Sequence, residues 1–258
     1  MSLIINFLTF APESKRPIMN LSYQNSVAET VANDYRAAAI FEKYGIDFCC
    51  HGQISIDEAC EKKQIMTEDV MRDLNTLLEA NSSCFNFSAL PPSMLADHIE
   101  ERHHRYVEEK TPVIQRYLDK VCAVHGERHP ELHEINRLFR ESSAHLAQHM
   151  KKEELILFPR IRKIEGLMRK PVAADTIAQG LLQAPIEMMQ HEHQLEGDRF
   201  NEIEKLSHHY QAPEGACNTY SVTYALLQEF VNDLHTHIHL ENNVLFPKAI
   251  EMEKSLLN

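Results

Sequence analysis

The chain has 258 residues, of which 43% are hydrophobic and 25% charged, a composition typical of a globular protein with a substantial core. Its formal net charge of −12 argues against nucleic acid and anionic membrane surfaces as partners. Only 7 glycines and no runs of alternating β-branched residues predict an all-α fold.

Residues 1–21 are predicted to be a disordered extension. The segment opens with an apolar stretch that is too short to span a bilayer and lacks the basic start and cleavage site of a signal peptide. Met1 and Met19 are both candidate starts. The six cysteines are widely spread in a chain that is large enough to fold without disulfide bonds, so reduced thiols and a cytoplasmic location are predicted.

Residues 22–82 are predicted to form a small N-terminal helical module. Two capping boxes should begin helices there, because a serine hydroxyl can accept the N–H of a residue three positions later. These boxes are Ser26 with Glu29 and Ser55 with Glu58. Residues 83–92, rich in serine, asparagine and proline, are predicted to be a linker.

The N-terminal module carries two adjacent cysteines, Cys49 and Cys50. Neighbouring thiols can bind a soft metal ion or be oxidised together, although a disulfide between adjacent residues is strained. Taken alone, the pair is explained as well by a structural role as by metal binding or oxidation. The other four cysteines have no visible partner and receive no predicted role.

Residues 93–254 are predicted to form an antiparallel four-helix bundle. Its helices are separated by short breaks that contain glycine or proline, and short connections favour antiparallel neighbours. Pro159 and Pro247 stand late in the second and fourth helices, where a proline is expected to kink or end a helix. The breaks fall at residues 125–130, 166–171 and 211–215.

The second and fourth bundle helices share an H-x-x-x-E motif that is followed by Phe-Pro. His149 and Glu153, like His237 and Glu241, are four residues apart and therefore lie on one helix face. Periodicity places both pairs within the apolar stripe that faces the core. Burying an imidazole and a carboxylate there is costly without compensation. A buried His–Glu hydrogen bond would explain one pair, but its repetition on two helices favours metal binding.

The remaining histidines differ in the helix face on which they lie. His193 falls on the apolar face of the third bundle helix. On the first bundle helix, periodicity slightly prefers His103 over His104. His235 and His239 of the fourth helix are also four residues apart, but they fall on the polar face and are predicted to be solvated.

Even spacing indicates that one histidine from each helix belongs to a common site. Four of them are separated by 45, 44 and 44 residues, which in an up-and-down bundle places them at one level. Four imidazoles and two carboxylates suit two iron ions bridged by the carboxylates. Structural zinc usually takes four ligands per ion, magnesium and calcium prefer oxygen alone, and manganese remains open. The predicted ligands are His104, His149, Glu153, His193, His237 and Glu241.

Two further residues are predicted to support this site. Asp233, one turn before His237, is a candidate acceptor for an imidazole N–H. His145, one turn before His149, is either a spare ligand or a group that lines the pocket.

Together these motifs resemble the RIC, or repair of iron centres, family over nearly the whole chain. The resemblance is carried by Asp47-Phe-Cys-Cys-His-Gly52, by His149-x-x-x-Glu153 and by Glu241-Asn-Asn-Val-Leu-Phe-Pro247. It implies a haemerythrin-like bundle with a non-haem di-iron centre, a cytoplasmic location, and the restoration of iron–sulfur clusters damaged by nitric oxide or peroxide. It also implies the same six ligands. The family usually has an aromatic residue at the place of His103, and an acidic residue is common at the place of His145.

The leading hypothesis is therefore an iron–sulfur cluster repair protein that supplies iron to damaged client proteins, with Cys49 and Cys50 helping to hand over iron or accept a nitrosyl group. The alternatives are a haemerythrin-like protein that binds or senses oxygen or nitric oxide, and an enzyme such as a nitric oxide reductase or ferroxidase. Whether the protein is a monomer or a homodimer is left open by the sequence.

Overall fold

The computed structural model describes residues 21–79, 86–169 and 180–257. The predicted extension, with both candidate starts, lies outside them except for Leu21. The described residues form helices and no strand, with one isolated bridge between Ser26 and Ser55, so the all-α prediction is confirmed. Across the same ranges, none of the helices combines the length and apolarity needed to cross a bilayer.

Four short helices make up the N-terminal module. Both predicted capping boxes form: Ser26 accepts the N–H of Glu29 at 3.0 Å, and Ser55 accepts that of Glu58 at 3.1 Å. Gly45 follows the second helix with φ of +63°, a left-handed conformation that glycine adopts without strain. The helices are α1 (Val27–Asn33), α2 (Ala37–Lys43), α3 (Ile56–Lys63) and α4 (Thr67–Glu79).

The four bundle helices follow a short 3₁₀ turn at Phe87–Ala89. Three of them contain a π turn, in which the backbone bonds run from residue i to i+5. The first bundle helix is α5 (Pro92–Ile99), a π turn (Glu100–His104) and α6 (Arg105–His125). The second is α7 (Glu131–Lys152), a π turn (Glu153–Leu157) and α8 (Phe158–Arg169). The third is α9 (Gln183–Leu206), and the fourth is α10 (Asn218–His239), a π turn (Leu240–Leu245) and α11 (Phe246–Leu257).

Neither Pro159 nor Pro247 ends its helix, which excludes one of the two outcomes, a kink or an end, expected from sequence. Each proline comes two residues after a π turn. In both turns the last bond is made by the phenylalanine before the proline: Phe158 donates its N–H to the carbonyl of Glu153, and Phe246 donates to Glu241. The regular bonding ladder is thus already interrupted where proline lacks an N–H, and the helix continues beyond it.

Two apolar clusters fill the interior, one on each side of a polar layer. The first joins the N-terminal module to one half of the bundle and includes Phe48, Phe139 and Phe230. The second fills the other half and includes Phe158 and Phe246. On every bundle helix the predicted ligands fall between residues of the first cluster and residues of the second. The core therefore encloses the candidate site from both ends.

The N-terminal module packs on the fourth bundle helix through the loop that carries the cysteines. The carbonyl of Phe48 accepts from His239 Nδ1 at 3.2 Å, and the Phe48 ring meets the rings of both His239 and His235 edge-on. Gln53 Nε2 donates to Asn243 Oδ1 at 2.7 Å. His239 is consequently buried and His235 half-buried, so the prediction that both are solvated was wrong. A helical wheel describes one helix and does not include the module that covers its polar face.

Candidate metal centre

Six side chains from the four bundle helices converge in the polar layer between the two apolar clusters. None of them is more than 3% exposed. Their donor atoms form two groups of four residues, and within each group these atoms all lie within 4.8 Å of one another. One group contains His104 and His237, the other contains His149 and His193, and both groups contain Glu153 and Glu241.

The two carboxylates stand at the centre of this arrangement. Glu153 Oε2 lies 3.3 Å from His149 Nε2 and 3.4 Å from His104 Nε2. Glu241 Oε1 lies 3.1 Å from His237 Nε2, and its Oε2 lies 3.0 Å from His193 Nε2. Each carboxylate therefore contacts imidazoles of both groups.

The π turns explain how the two glutamates reach the centre. Glu153 is the first residue of one π turn, and Glu241 is the second residue of another. A π turn packs one extra residue into the helix, so the side chains before it rotate relative to those after it. The histidine four residues earlier and the glutamate can thus share the inner face while Phe158 and Phe246 still point into the second apolar cluster.

Several buried atoms of this cluster lack a hydrogen-bond partner among the described residues, namely His104 Nε2, both carboxylate oxygens of Glu153, and Glu241 Oε2. His149 Nε2 and His193 Nε2 meet at 3.0 Å, although two imidazole lone pairs repel unless a proton or cation lies between them. Unpartnered buried polar atoms are costly. A cation at the centre would satisfy all of these atoms together, so the residues present fit a metal ion.

Electrostatic interactions within the cluster shift several pKa values. Burial opposes protonation of His104 and His193, but the carboxylates prevail: Glu153 and Glu241 raise the pKa of His104 to about 10, and Glu241 raises that of His193 to about 9. Burial lowers the pKa of His237. Burial alone would raise the pKa of Glu241, yet the surrounding histidines hold it well below its ordinary value. The centre is therefore strongly attractive to positive charge.

Three of the four histidines are oriented through their outward nitrogens. His104 Nδ1 lies 3.0 Å from Glu154, and His149 Nδ1 lies 2.9 Å from Glu192. His193 Nδ1 lies 2.8 Å from Asn242 Oδ1. Such partners fix the tautomer that leaves Nε2 free for a metal. Sequence reasoning missed all three, although each stands directly beside a predicted ligand.

The predicted supporting residues lie elsewhere. Asp233 does bond an imidazole, at 3.1 Å, but this is His103 Nδ1, whose ring stacks on that of His237 with centroids 5.7 Å apart. His237 Nδ1 itself has no hydrogen-bond partner among the described residues. The side chain of His145 is 56% exposed, and its Nδ1 lies 3.5 Å from Glu196.

The structure brings His104, and not His103, into the cluster. The π turn at Glu100–His104 separates these histidines from Leu95 and Ile99, whose positions set the apolar stripe. A helical wheel drawn at 100° per residue therefore assigns residues beyond the π turn to the wrong face. The equal intervals between histidines are counted in residues and do not depend on that angle.

Cys49 and Cys50 lie at the edge of the centre. Cys50 Sγ is 3.9 Å from the backbone carbonyl of His193. A Cβ added at Gly197, one turn along α9, would lie 3.6 Å from the same sulfur, an ordinary van der Waals contact, so this sulfur lies against the α9 backbone at Gly197. Asn242 Nδ2 also donates to the carbonyl of Cys49 at 3.4 Å.

Comparison with known proteins gives matches over both parts of the chain. Residues 23–78 match ScdA_N, described as a domain of unknown function (DUF542), and residues 95–249 match the hemerythrin HHE cation binding domain. The iron–sulfur cluster repair protein ScdA of Staphylococcus haemolyticus is 32% identical over 88% of this chain and 99% of its own length. The iron–sulfur cluster repair proteins YtfE of Pectobacterium carotovorum and Musicola paradisiaca are each 33% identical, over 84% and 89% of this chain and 93% and 98% of theirs.

Proposed function

The chain belongs to the iron–sulfur cluster repair family that joins an ScdA_N domain to a haemerythrin cation-binding domain, and we propose that it repairs damaged clusters by supplying iron from a di-iron centre in its bundle. Its clients would be iron–sulfur proteins whose clusters have been damaged by nitric oxide or peroxide. The cluster-repair role follows from the family, and the iron-supplying route is the part that needs a test.

The observation that carries the proposal is the pair of four-residue groups that share Glu153 and Glu241. His104 and His237 would hold one ion, His149 and His193 the other, and the two carboxylates would bridge them. Bound there, ferrous iron would be an exchangeable store, because nitrogen and oxygen donors hold it less tightly than they hold later transition metals.

The surrounding residues would keep this store in place. Glu154, Glu192 and Asn242 accept or share the outward imidazole protons, which leaves the inner nitrogens free for iron. The two apolar clusters keep water from the centre along the bundle axis. Cys50, whose Sγ lies 3.9 Å from the backbone carbonyl of His193, and its neighbour Cys49 are positioned to receive iron as it leaves.

Nitric oxide and oxygen are the small ligands expected to reach the iron pair. A cytoplasmic location is part of the same proposal. It is supported by Cys49, Cys50, Cys60, Cys122 and Cys217, which are free thiols in the described part of the chain.

The test uses an aconitase whose cluster has been damaged with nitric oxide. Full-length protein loaded with ferrous iron should restore more activity than the same amount of free ferrous iron. The double variant Glu153→Gln, Glu241→Gln should not retain iron and should restore no more than free iron does. Exposed Glu134 on the same helix provides the matched control, since Glu134→Gln should repair as well as the wild type.

Two results would contradict the proposal. Wild-type protein that performs no better than free iron would remove the iron-supplying route. A double variant that carries no iron but repairs as well as the wild type would show that repair does not depend on this centre.

A further inference from the structure

A second group of metal-binding side chains lies in the loop between α2 and α3. The Sγ atoms of Cys49 and Cys50 are 3.7 Å apart, and Cys49 Sγ is 3.3 Å from Asp47 Oδ1. One donor atom from each of these three residues lies within 4.8 Å of the other two. The group shares no residue with the two groups of the bundle centre.

The loop holds these donors in place through its own hydrogen bonds. Asp47 Oδ1 accepts the backbone N–H groups of Cys49 at 2.9 Å and Cys50 at 3.0 Å. His51 Nδ1 lies 2.7 Å from the other carboxylate oxygen. Asn243 Nδ2 donates to the carbonyl of Cys49 at 3.1 Å, which fixes the loop to the bundle. The two sulfurs are therefore arranged by the backbone before any ligand binds.

The spacing of the donors fits one tetrahedral ion. Two sulfurs bound at about 2.3 Å to a tetrahedral ion lie about 3.8 Å apart, and a sulfur and a carboxylate oxygen lie about 3.6 Å apart. The observed separations of 3.7 Å and 3.3 Å are close to both values. Two thiolates select thiophilic ions, among them zinc, cobalt and ferrous iron, over magnesium or calcium.

The group also has access to solvent. A cavity of about 450 Å³ is lined by residues that include Asp47, Cys50 and His51 of the loop and Lys62 and Lys63 of α3. Cys49 is 5% exposed and is not among the residues that line this cavity. An ion held by the three donors would thus keep its fourth position towards the cavity. Sites that exchange or react at the metal keep an open position of this kind, whereas structural sites are closed.

We propose that Asp47, Cys49 and Cys50 form a second metal site, which holds a single thiophilic divalent ion with its fourth position open to the cavity. In the cell this ion would be ferrous iron in transit. That assignment rests on the iron-supplying function proposed above, whereas the existence of the site does not. Of the two lysines that line the cavity, Lys62 is paired with Glu58 at 2.9 Å, and the positive charge of Lys63 favours an anionic fourth ligand, such as a thiolate of a client protein.

The position of the site suits transfer from the bundle. Cys50 Sγ contacts the carbonyl of His193, a predicted ligand of the bundle centre, and lies beside Gly197 on the same helix. Thiolates, not thiols, bind metal ions, so binding at this site should release protons and weaken as the pH falls.

Cobalt(II) distinguishes this site from the bundle centre, because only thiolate ligands give a near-ultraviolet sulfur-to-cobalt charge-transfer band. Full-length protein, stripped of metal and reduced with a phosphine, is titrated with cobalt(II). We expect this band to saturate at one cobalt per chain in the Glu153→Gln, Glu241→Gln background, where the bundle centre does not compete for the ion. Cys50→Ser should abolish the band, and Asp47→Asn, which preserves the acceptor for the loop N–H groups, should weaken cobalt binding at least about tenfold.

Two further variants make the assignment specific. Cys217→Ser should leave the band unchanged, although Cys217 Sγ lies 3.2 Å from His125 Nε2 and Cys217 is the exposed cysteine among the described thiols. Glu153→Gln with Glu241→Gln should also keep the band while losing iron at the bundle centre. Far-ultraviolet circular dichroism checks that each variant is folded.

The site would be refuted by a titration that gives no sulfur-to-cobalt band, or by a band that survives Cys50→Ser. A band that is lost in Cys217→Ser would refute it as well. If the aconitase assay fails while the band is present, the iron-supplying function is refuted but the site remains. If the assay succeeds while the band is absent, the site is refuted but the iron-supplying function remains.

Discussion

At the scale of single residues, His103 and His104 are adjacent in the chain but make different contacts. Both are buried, yet only His104 lies in the cluster, while His103 bonds Asp233 and stacks on His237. We expect His104→Ala to lose bound iron, because one four-residue group loses a nitrogen donor. His103→Ala should keep its iron and serves as the neighbouring control. Iron content per chain after gel filtration checks both, and loss of iron in His103→Ala alone would reverse the assignment.

The sequence predicts the six candidate ligands because their spacing is a global property of the bundle. Equal intervals depend on helix and loop lengths, and the H-x-x-x-E pairs depend on one turn of helix. Environments that depend on a neighbouring element were not predictable in the same way. His239 was misjudged because the loop that covers it is 191 residues away in sequence.

At the scale of elements, the π turns determine which side chains face the centre. Leu155 is 72% exposed and lies within the π turn that begins at Glu153. Deleting it should convert the π turn to α-helix and rotate His149 and Glu153 by about 100° relative to Phe158. The variant that lacks Leu155 should contain less iron per chain than the wild type, while its far-ultraviolet circular dichroism spectrum remains that of a helical protein. Leu155→Ala removes the same exposed side chain without changing the register and should bind iron normally. Retention of iron by the deletion variant would show that the π turn is dispensable.

A second prediction at this scale concerns Glu42 at the seam between α2 and the bundle. Glu42 lines a cavity of about 330 Å³ with Arg36, Arg102, Glu229 and Asp233, and burial raises its pKa to about 7 from an ordinary 4.5. Between those two pH values the folded state binds more protons than the unfolded state, so Glu42 costs stability as the pH rises through this window.

The free energy of unfolding of the Glu42→Gln variant, minus that of the wild type, should therefore increase when the pH is raised from 4 to 8. Urea denaturation of metal-stripped protein at both pH values measures this difference. Exposed Glu61 in the same module gives the control, because Glu61→Gln should show a much smaller change between the two pH values. An equal change in both variants would contradict the role of burial.

Helix starts were predictable from the sequence, whereas π turns were not. A serine followed three residues later by glutamate satisfies orphan N–H groups locally, and both predicted boxes form. A π turn has no comparable local signal. Its weaker bonding is offset by contacts of the finished fold, here the convergence of Glu153 and Glu241 on the histidines of other helices.

At the scale of the whole molecule, the N-terminal module shares a core with the bundle. Phe48 is 2% exposed and lies at this junction. Phe48→Ala should lower the free energy of unfolding by about 3–5 kcal/mol, because it leaves a large cavity. Met66→Ala, at a residue of the same module that is 66% exposed, should change it by less than about 0.5 kcal/mol. Urea denaturation of metal-stripped protein compares the two, and similar small effects would show that the module is only loosely attached.

The contact between module and bundle could not be predicted from the sequence, because it depends on residues far apart in the chain. Gln53 and Asn243 are 190 residues apart, and neither belongs to a recognisable motif. Their bond, together with the burial of Phe48, determines where the cysteine loop rests.

Asn242 gives this contact a consequence for iron retention. One end of its amide holds the imidazole of His193, and the other end holds the carbonyl of Cys49. A client that displaces the cysteine loop from the bundle would free this amide to rotate. His193 would then be less firmly oriented and would bind its ion more weakly. Thermodynamic reciprocity then requires the converse, that filling the centre with iron fastens the loop by the same free energy. Docking of the cysteine loop on the bundle and retention of iron would thus be thermodynamically coupled through Asn242.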